Sequence, residues 1–133
     1  MLYQRTLRKP VTVAGIGLHS GKPAKLVFRP APEGSGIHFV RKDLSGSPAI
    51  KVSADNVQAT QLATTLGGKD FQVATIEHCL SSVAAYRIDN LTIELDGPEI
   101  PICDGSARDF AEKILAAGFV DQDQVRKYIR FAK

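Results

Sequence analysis

Hydrophobic and polar residues alternate along much of the first half of the chain, with turn-forming residues between the alternating runs. Period-two alternation with β-branched and aromatic residues is typical of half-buried strands. The stretch from Ser20 to Pro23 is rich in turn formers and predicts a hairpin between the first two runs. Clusters of Gly, Pro and Ser separate the others. The predicted strands cover residues 11–19, 24–29, 37–42 and 49–52.

Three further runs in the second half predict strands. Residues 91–95 alternate cleanly, and their three leucine and isoleucine side chains are expected to face the core. Residues 100–103 are expected at a sheet edge, because Pro101 has no N–H to donate to a neighbouring strand. Residues 128–131 resemble the beginning of one more strand.

Two segments repeat apolar residues every three or four positions, which is the period of a buried helical face. The first covers residues 75–87 with Thr75 as N-cap, and its expected inner face is Ile76, Leu80, Val83 and Ala84. The second begins with a capping box at Ser106 and stops at Gly118, and its expected inner face is Phe110, Ile114 and Leu115. Early strands and later helices together predict an α+β fold, a two-layer sandwich of mostly antiparallel sheet with two main helices on one face.

Length and composition agree with one folded domain. The 133 residues are 44% hydrophobic and 23% charged, which excludes a disordered or collagen-like chain. The formal charge of +3 is too small to indicate nucleic-acid binding, and no basic run is interleaved with aromatic residues. No apolar run is long enough for a transmembrane helix and no signal segment precedes the domain, so a cytoplasmic protein is expected.

The glycine-rich stretch at residues 15–22 suggests a phosphate-binding loop but does not match one. Ile16 stands where a Walker loop needs glycine, and Pro23 stands where it needs Ser or Thr. Ser20 occupies the place of the third glycine of a dinucleotide fingerprint. A tight turn between strands is the better interpretation, and packing does not explain His19 beside it.

Glu77 and His78 are the strongest candidates for a catalytic or metal-binding role, because they fall in the first turn of the first predicted helix. Unpaired N–H groups there favour an ionised carboxylate and a neutral imidazole, which suit a proton acceptor and a metal ligand. Adjacent helical residues point about 100 degrees apart, so the two could reach different atoms of one metal-bound water. Taken alone, a Glu-His pair is more often a solvated helix start than a metal site.

The remaining candidate ligands do not complete a site. A catalytic zinc takes three protein ligands, and His19 and His38 lie at no HExxH spacing. His38 is expected on the surface of a sheet, and Asp104 is expected to be a turn carboxylate. Cys79 and Cys103 occur in no CxxC or zinc-ribbon spacing, so reduced and partly buried thiols are expected, with no further role assigned.

Six motifs in order resemble the amino-terminal half of the UDP-3-O-acyl-N-acetylglucosamine deacetylase family, the zinc amidases that commit bacteria to lipid A synthesis. The resemblance covers nearly the whole chain, and a set of six ordered motifs is specific enough to favour a catalytic Glu-His pair. The motifs are QRTL at 4–7, GIGLHSG at 15–21, RPAP at 29–32, TIEH at 75–78, IDN at 88–90, and PEIP at 98–101 continuing to DGS at 104–106.

The resemblance implies a fold of the ribosomal S5 domain 2-like kind, in which two similar α+β domains enclose the active site between their helical layers. This chain is similar to the first domain only, so residues 1–126 are expected to be that domain. Residues 127–133 are expected to begin a linker or strand toward the second domain, which is absent from this chain.

The resemblance also implies roles for individual residues. Glu77 would be the general base that activates a zinc-bound water, and His78 would be one of three zinc ligands. Leu18 and His19, in the glycine-rich turn, would contact the substrate, UDP-3-O-acyl-N-acetylglucosamine. The loop from Gln61 to Thr64, including Ala63, would do the same. Some family members carry a cysteine where this chain has Ala63.

The family's other zinc ligands, a His and an Asp in an HxxxD arrangement, and its assisting Lys and second His belong to the second domain. One hypothesis is therefore that the intact protein is a deacetylase, while this chain alone binds zinc weakly and turns over negligibly. The alternative is a naturally short, non-catalytic interaction module. The length of the reading frame distinguishes them.

Loss of the second domain also predicts self-association through part of the Ile76 to Val83 helical face.

Overall fold

The computed structural model describes residues 2–132 and contains ten strands and two α-helices within them. No helix in this part of the chain is long and apolar enough to cross a membrane. The strands are Tyr3–Leu7 (β1), Val11–Ile16 (β2), Pro23–Pro30 (β3), Ile37–Arg41 (β4), Ala49–Lys51 (β5), Val57–Ala59 (β6), Thr65–Gly67 (β7), Gln72–Ala74 (β8), Leu91–Leu95 (β9) and Phe119–Val125 (β10); the helices are Glu77–Ala85 (α1) and Arg108–Ala117 (α2).

Five strands form the central sheet in the order β2-β3-β9-β4-β5, and only the β4–β9 pair is parallel. Their registers align one row of apolar side chains across all five strands: Val11, Phe28, Ile93, Phe39 and Ile50. All of these except the half-buried Val11 are buried. This row is the floor of the core, as alternating strands with one solvated face require.

The two helices pack on this buried face, which confirms the predicted α+β class with mostly antiparallel sheet. Phe110 of α2 meets Phe28 of the sheet edge-to-face, with ring centroids 6.5 Å apart. The helices also contact each other, because the Ser82 hydroxyl of α1 donates to the Ala107 carbonyl at the start of α2. The hairpin of β2 and β3 and the three inward side chains of β9 are confirmed as well.

The N-cap of each helix lies one residue later than the sequence predicts, at Ile76 and Ala107, and each inner face is rotated slightly. In α1 the buried positions include Cys79 and Val83, whereas Ala84 is exposed. In α2 the buried stripe is Phe110, Ile114 and Ala117, so Leu115 lies about 100 degrees off it and is 58% exposed. Gly118 ends α2 as predicted, with φ 73° and ψ 171°, a backbone conformation that glycine adopts without steric cost.

The sequence did not predict the three-residue strands β6, β7 and β8, nor the strands β1 and β10, which pair across nearly the whole chain. Strands β6, β7 and β8 form a small antiparallel sheet, and β1 pairs with β10 in a two-stranded ribbon. The predicted edge strand at residues 100–103 is reduced to isolated bridges from Glu99 and Pro101. Residues 126–132 have no regular secondary structure, so the strand expected at 128–131 is not observed.

A buried polar network around Asn90 joins the ribbon to the central sheet. The Asn90 Oδ1 atom accepts from the Gly36 amide at 2.8 Å. Its Nδ2 group donates to the side-chain oxygens of Gln4 and Gln122, also at 2.8 Å. The Thr6 hydroxyl donates to the Asn90 carbonyl at 2.7 Å. The Thr6 hydroxyl also accepts from the Ala31 amide at 3.0 Å, so three of the sequence motifs, at 4–7, 29–32 and 88–90, meet in one structural network.

The buried Arg41 links the central sheet to the small sheet. Its guanidinium forms two hydrogen bonds with the Asp43 carboxylate, at 2.7 and 2.8 Å, and donates to the Gln72 carbonyl at 2.8 Å. Hydrogen bonding from Arg41 lowers the pKa of Asp43, with its charge adding to the effect. The carboxylate thereby neutralises a guanidinium that has almost no access to water.

Replacement of Asp43 by Asn should lower the free energy of unfolding by about 1–2 kcal/mol at neutral pH, because Arg41 loses its counter-charge. A carboxyl whose folded pKa is depressed contributes stability above its unfolded pKa and loses it as the pH falls through the folded value. The difference between wild type and Asp43→Asn should therefore shrink on acidification below the ordinary aspartate range, as measured by urea unfolding. A pH-independent difference would contradict this assignment.

Candidate functional site

Glu77 and His78 lie in the first turn of α1, where the chain leaves the small sheet. Both side chains are half-buried. The loop before β7 closes over this turn: the Thr64 amide donates to Glu77 Oε2 at 3.1 Å, and the Ile76 amide donates to the Thr64 carbonyl at 3.4 Å. Within residues 2–132, no group hydrogen-bonds Glu77 Oε1 or the His78 imidazole. One carboxylate oxygen and a ring nitrogen are thus free for a ligand.

Thr75 is not the N-cap that the sequence predicts. Its side chain is buried, its φ is 62°, and its hydroxyl donates to Glu99 Oε1 at 3.2 Å. Ile76 occupies the capping position without a side-chain hydrogen bond. A β-branched residue in the left-handed region costs about 1–3 kcal/mol, and such residues cluster at functional sites.

The turn that carries Leu18 and His19 is closed by its own backbone. The Gly17 amide donates to the Lys22 carbonyl at 2.9 Å, and the Gly21 amide donates to the Gly17 carbonyl at 3.0 Å. Both side chains between these bonds are exposed, and Leu18 is 56% exposed. The turn therefore presents Leu18 and His19 to the solvent.

Glu99 is the residue of this region that sequence reasoning did not select. Its side chain is 5% exposed, and its carboxylate accepts hydrogen bonds from the amides of His19 and Ser20, each at 2.9 Å. Burial raises the pKa of Glu99, but these bonds and those from the Ser20 and Thr75 hydroxyls together hold it below its ordinary value. The sequence feature that could have identified Glu99 is its position as the single charged residue in the stretch from Pro98 to Pro101.

The structure brings together only part of the predicted site. Glu99 connects the turn of Leu18 and His19 to Thr75, and Thr64 contacts Glu77. Ala63 is half-buried immediately before Thr64, and Gln61 is exposed in the same loop. No hydrogen bond between either of them and the start of α1 is present within the part of the chain that the structure describes.

The remaining candidates are structural. His38 is half-buried in β4, opposite Lys51 and Thr92, as expected of a sheet-surface residue. Asp104 accepts from the amide and hydroxyl of Ser106, which confirms the turn interpretation. Ser106 in turn accepts from the Arg108 amide, so it precedes α2 instead of opening it.

The two cysteines are free thiols. Burial raises the pKa of Cys79 far above its ordinary value. Burial, together with the Asp109 carboxylate, raises the pKa of Cys103 to about 11. Both thiols are therefore protonated at neutral pH in this chain.

Residues 2–132 contain no group of three His, Cys, Asp or Glu side chains placed to hold a metal ion. A catalytic zinc site needs three protein ligands, so this part of the chain does not form one alone. His78 has the unengaged imidazole that a single ligand requires. Chemically, this imidazole could supply one ligand to a metal ion.

Comparisons with a protein-family model and with individual known proteins all identify the same enzyme family. The family model described as LpxC, UDP-3-O-acyl N-acetylglycosamine deacetylase, matches residues 4–133. The UDP-3-O-acyl-N-acetylglucosamine deacetylase of Bdellovibrio bacteriovorus is 63% identical over 128 residues, which are 96% of this chain and 42% of that protein. Proteins of the same name from Myxococcus xanthus and Thioalkalivibrio sulfidiphilus are 48% and 44% identical. They match 98% and 100% of this chain, which spans 41% and 44% of their own lengths.

Proposed function

The chain belongs to the UDP-3-O-acyl N-acetylglycosamine deacetylase family, and from this we propose that it supplies the amino-terminal part of a zinc-dependent deacetylase active site. The intact protein would hydrolyse the N-acetyl group of UDP-3-O-acyl-N-acetylglucosamine, the committed step of lipid A biosynthesis. The observation that carries the proposal is the pair at the start of α1. Glu77 is held by the Thr64 amide with one oxygen free, next to the unengaged imidazole of His78.

Glu77 is suited to act as a general base. The Thr64 amide fixes Oε2, so Oε1 can accept a proton from an attacking water without movement of the loop. Glu77 would then return the proton to the leaving amine as the C–N bond of the acetamide breaks.

His78 would hold the zinc together with ligands from a second domain. This chain spans only 41–44% of the length of its relatives, so the relatives are long enough to contain such a domain. When bound, zinc acidifies its water and polarises the acetamide carbonyl. Leu18, His19, Gln61 and Ala63 would contact the substrate from the two loops flanking α1, and residues 127–133 would lead from the domain at 1–126 toward the second one.

A chimera tests this proposal. This chain would be joined to the remaining carboxy-terminal part of the Bdellovibrio bacteriovorus relative, whose matching segment is 63% identical. The chimera should release acetate from UDP-3-O-acyl-N-acetylglucosamine, and a chelator should abolish the release. The complete relative serves as positive control. A folded, zinc-loaded chimera without activity would refute the proposal.

The chain alone should bind zinc weakly and release no acetate above background, because the other ligands and substrate-orienting groups are missing. A non-catalytic interaction module with the same fold is the alternative. A reading frame that continues into a second part with His and Asp ligands favours the enzyme, and a native stop near residue 133 favours the module.

We also propose that the second domain covers the exposed apolar side chains near the site. The sequence predicted that part of the helical face from Ile76 to Val83 would be this exposed surface. That prediction is wrong for Ile76 and Val83, because both side chains are buried in the core. Exposed apolar side chains beside the site are instead Leu18, in the turn that Glu99 holds, and Leu62, in the loop before Thr64; Leu62 is 93% exposed. Without the second domain the chain should self-associate, and light scattering that shows a strict monomer at high concentration would contradict this.

A further inference from the structure

The carboxylate of Glu99 connects the turn of Leu18 and His19 to Thr75, which lies just before α1. Its Oε1 atom accepts from both the His19 amide and the Thr75 hydroxyl, and its Oε2 atom accepts from the Ser20 amide. One oxygen therefore bridges the turn of His19 and the residue two positions before Glu77. A buried carboxylate bound by several donors is a rigid connection, because releasing it would leave an unpaired charge away from water.

The backbone around Glu99 is fixed on both sides. Toward the small sheet, the Ala74 amide donates to the Pro98 carbonyl at 2.8 Å, and the Ile100 amide donates to the Ala74 carbonyl at 3.2 Å. Toward the central sheet, the Ile102 amide donates to the Ile16 carbonyl at 2.9 Å. The segment from Pro98 to Ile102 thus bridges β8 and β2, and it carries the Glu99 carboxylate at its centre.

Gly17 provides the space that this carboxylate needs. A Cβ atom at position 17 would overlap both Glu99 Oε2 and Ser20 Oγ. Any side chain there would therefore displace the carboxylate or open the turn. The glycine-rich motif at 15–21, the motif at 75–78 and the motif at 98–101 therefore meet at one buried group.

Building on the proposed function, we propose that Glu99 is a positioning residue of the deacetylase site. It holds the turn of Leu18 and His19 in a fixed relation to Thr75, and hence to Glu77 and His78. Glu99 touches neither substrate nor metal in this role. It acts through the two amides and the hydroxyl that it binds. In this way it sets the position of the turn of Leu18 and His19 relative to the start of α1, so that both can contact one bound substrate.

Two substitutions remove this connection by different routes. Glu99→Gln replaces one acceptor oxygen with an NH2 group, which cannot accept from a backbone amide. Gly17→Ala keeps the carboxylate but places a methyl group where it lies. The matched controls are Glu94→Gln, at a half-buried carboxylate paired with Arg29 on the open sheet face, and Gly97→Ala, where an added Cβ meets nothing within 4 Å.

Amide hydrogen exchange of this chain, followed by nuclear magnetic resonance, is the decisive measurement. Exchange should become about tenfold or more faster at the His19 or the Ser20 amide in Glu99→Gln, which keeps one acceptor oxygen, and at both amides in Gly17→Ala, because a hydrogen bond to a charged group is lost. The two amide proton resonances should also lose the downfield shift that a carboxylate acceptor causes. The two controls should leave both readouts unchanged.

The chimera supplies a second readout that a merely stabilising residue would not move. There Glu99→Gln should lower kcat at least about tenfold relative to Glu94→Gln, with zinc content unchanged and at a temperature and urea concentration at which both variants are fully folded. An inactive chimera would refute the proposed function, yet the exchange measurement on this chain would still decide the role of Glu99. Unchanged exchange at His19 and Ser20, or unchanged kcat in an active chimera, would overturn the positioning role.

Discussion

Replacement of Glu77 by Gln in the chimera should lower kcat for deacetylation by about 10²–10⁴-fold, the usual contribution of a general base. The amide oxygen of Gln can still accept from the Thr64 amide, so the loop over α1 should keep its place. What the variant loses is the capacity to take a proton from water. Acetate release under saturating substrate measures the effect directly.

The companion variants separate proton transfer from metal binding. His78→Ala should lose both zinc and activity, whereas Glu77→Gln should lose activity and retain zinc. His38→Ala is the matched control, because this histidine lies on β4 and takes no part in the site. A Glu77→Gln chimera within about twofold of the parent kcat would exclude Glu77 as the base.

Replacement of Asn90 by Ala should lower the free energy of unfolding of this chain by about 2–4 kcal/mol. The substitution leaves the Gly36 amide and the Gln122 side-chain oxygen without the partners that they have in the folded protein. Buried donors and acceptors that lose their partner carry the full cost of desolvation. Urea unfolding followed by circular dichroism gives the free energy.

Asn56→Ala is the control for the Asn90 variant. Its side chain makes one hydrogen bond, to the Lys51 carbonyl, in an exposed position, so its loss should cost less than about 1 kcal/mol. Asn90→Asp should resemble Asn90→Ala, because a carboxylate cannot donate to Gln4 or Gln122. Equal stability of Asn90→Ala and Asn56→Ala would show that the network contributes little.

The sequence was most informative where periodicity and burial coincide. The alternation at residues 24–29, 37–42 and 91–95 places strands that the structure confirms with small changes of their ends. Pairing between β1 and β10 joins Leu7 to Phe119, and such distant partners leave no local pattern. Strands β6, β7 and β8 have three residues each, too few for alternation to be recognised.

The helical faces show a similar limit. Periodicity identifies both helices and the Gly118 stop, but a stripe drawn from apolar residues alone includes Leu115, which is exposed. The sheet decides which side of a helix is covered, and here it selects Ala117 instead. In the same way the Thr75 hydroxyl looks like a helix cap in sequence but bonds to Glu99 in the folded chain.

The sequence by itself determined the α+β class and the family, and it drew attention to Glu77 and His78, because local periodicity and short motifs carry that information. Only the tertiary structure decided how the motifs group. Three of them meet around Asn90 as a structural network, and three meet at the buried Glu99 beside the candidate site. The physical reason is that a buried polar group is defined by partners from distant segments, and only folding brings those partners within hydrogen-bond distance.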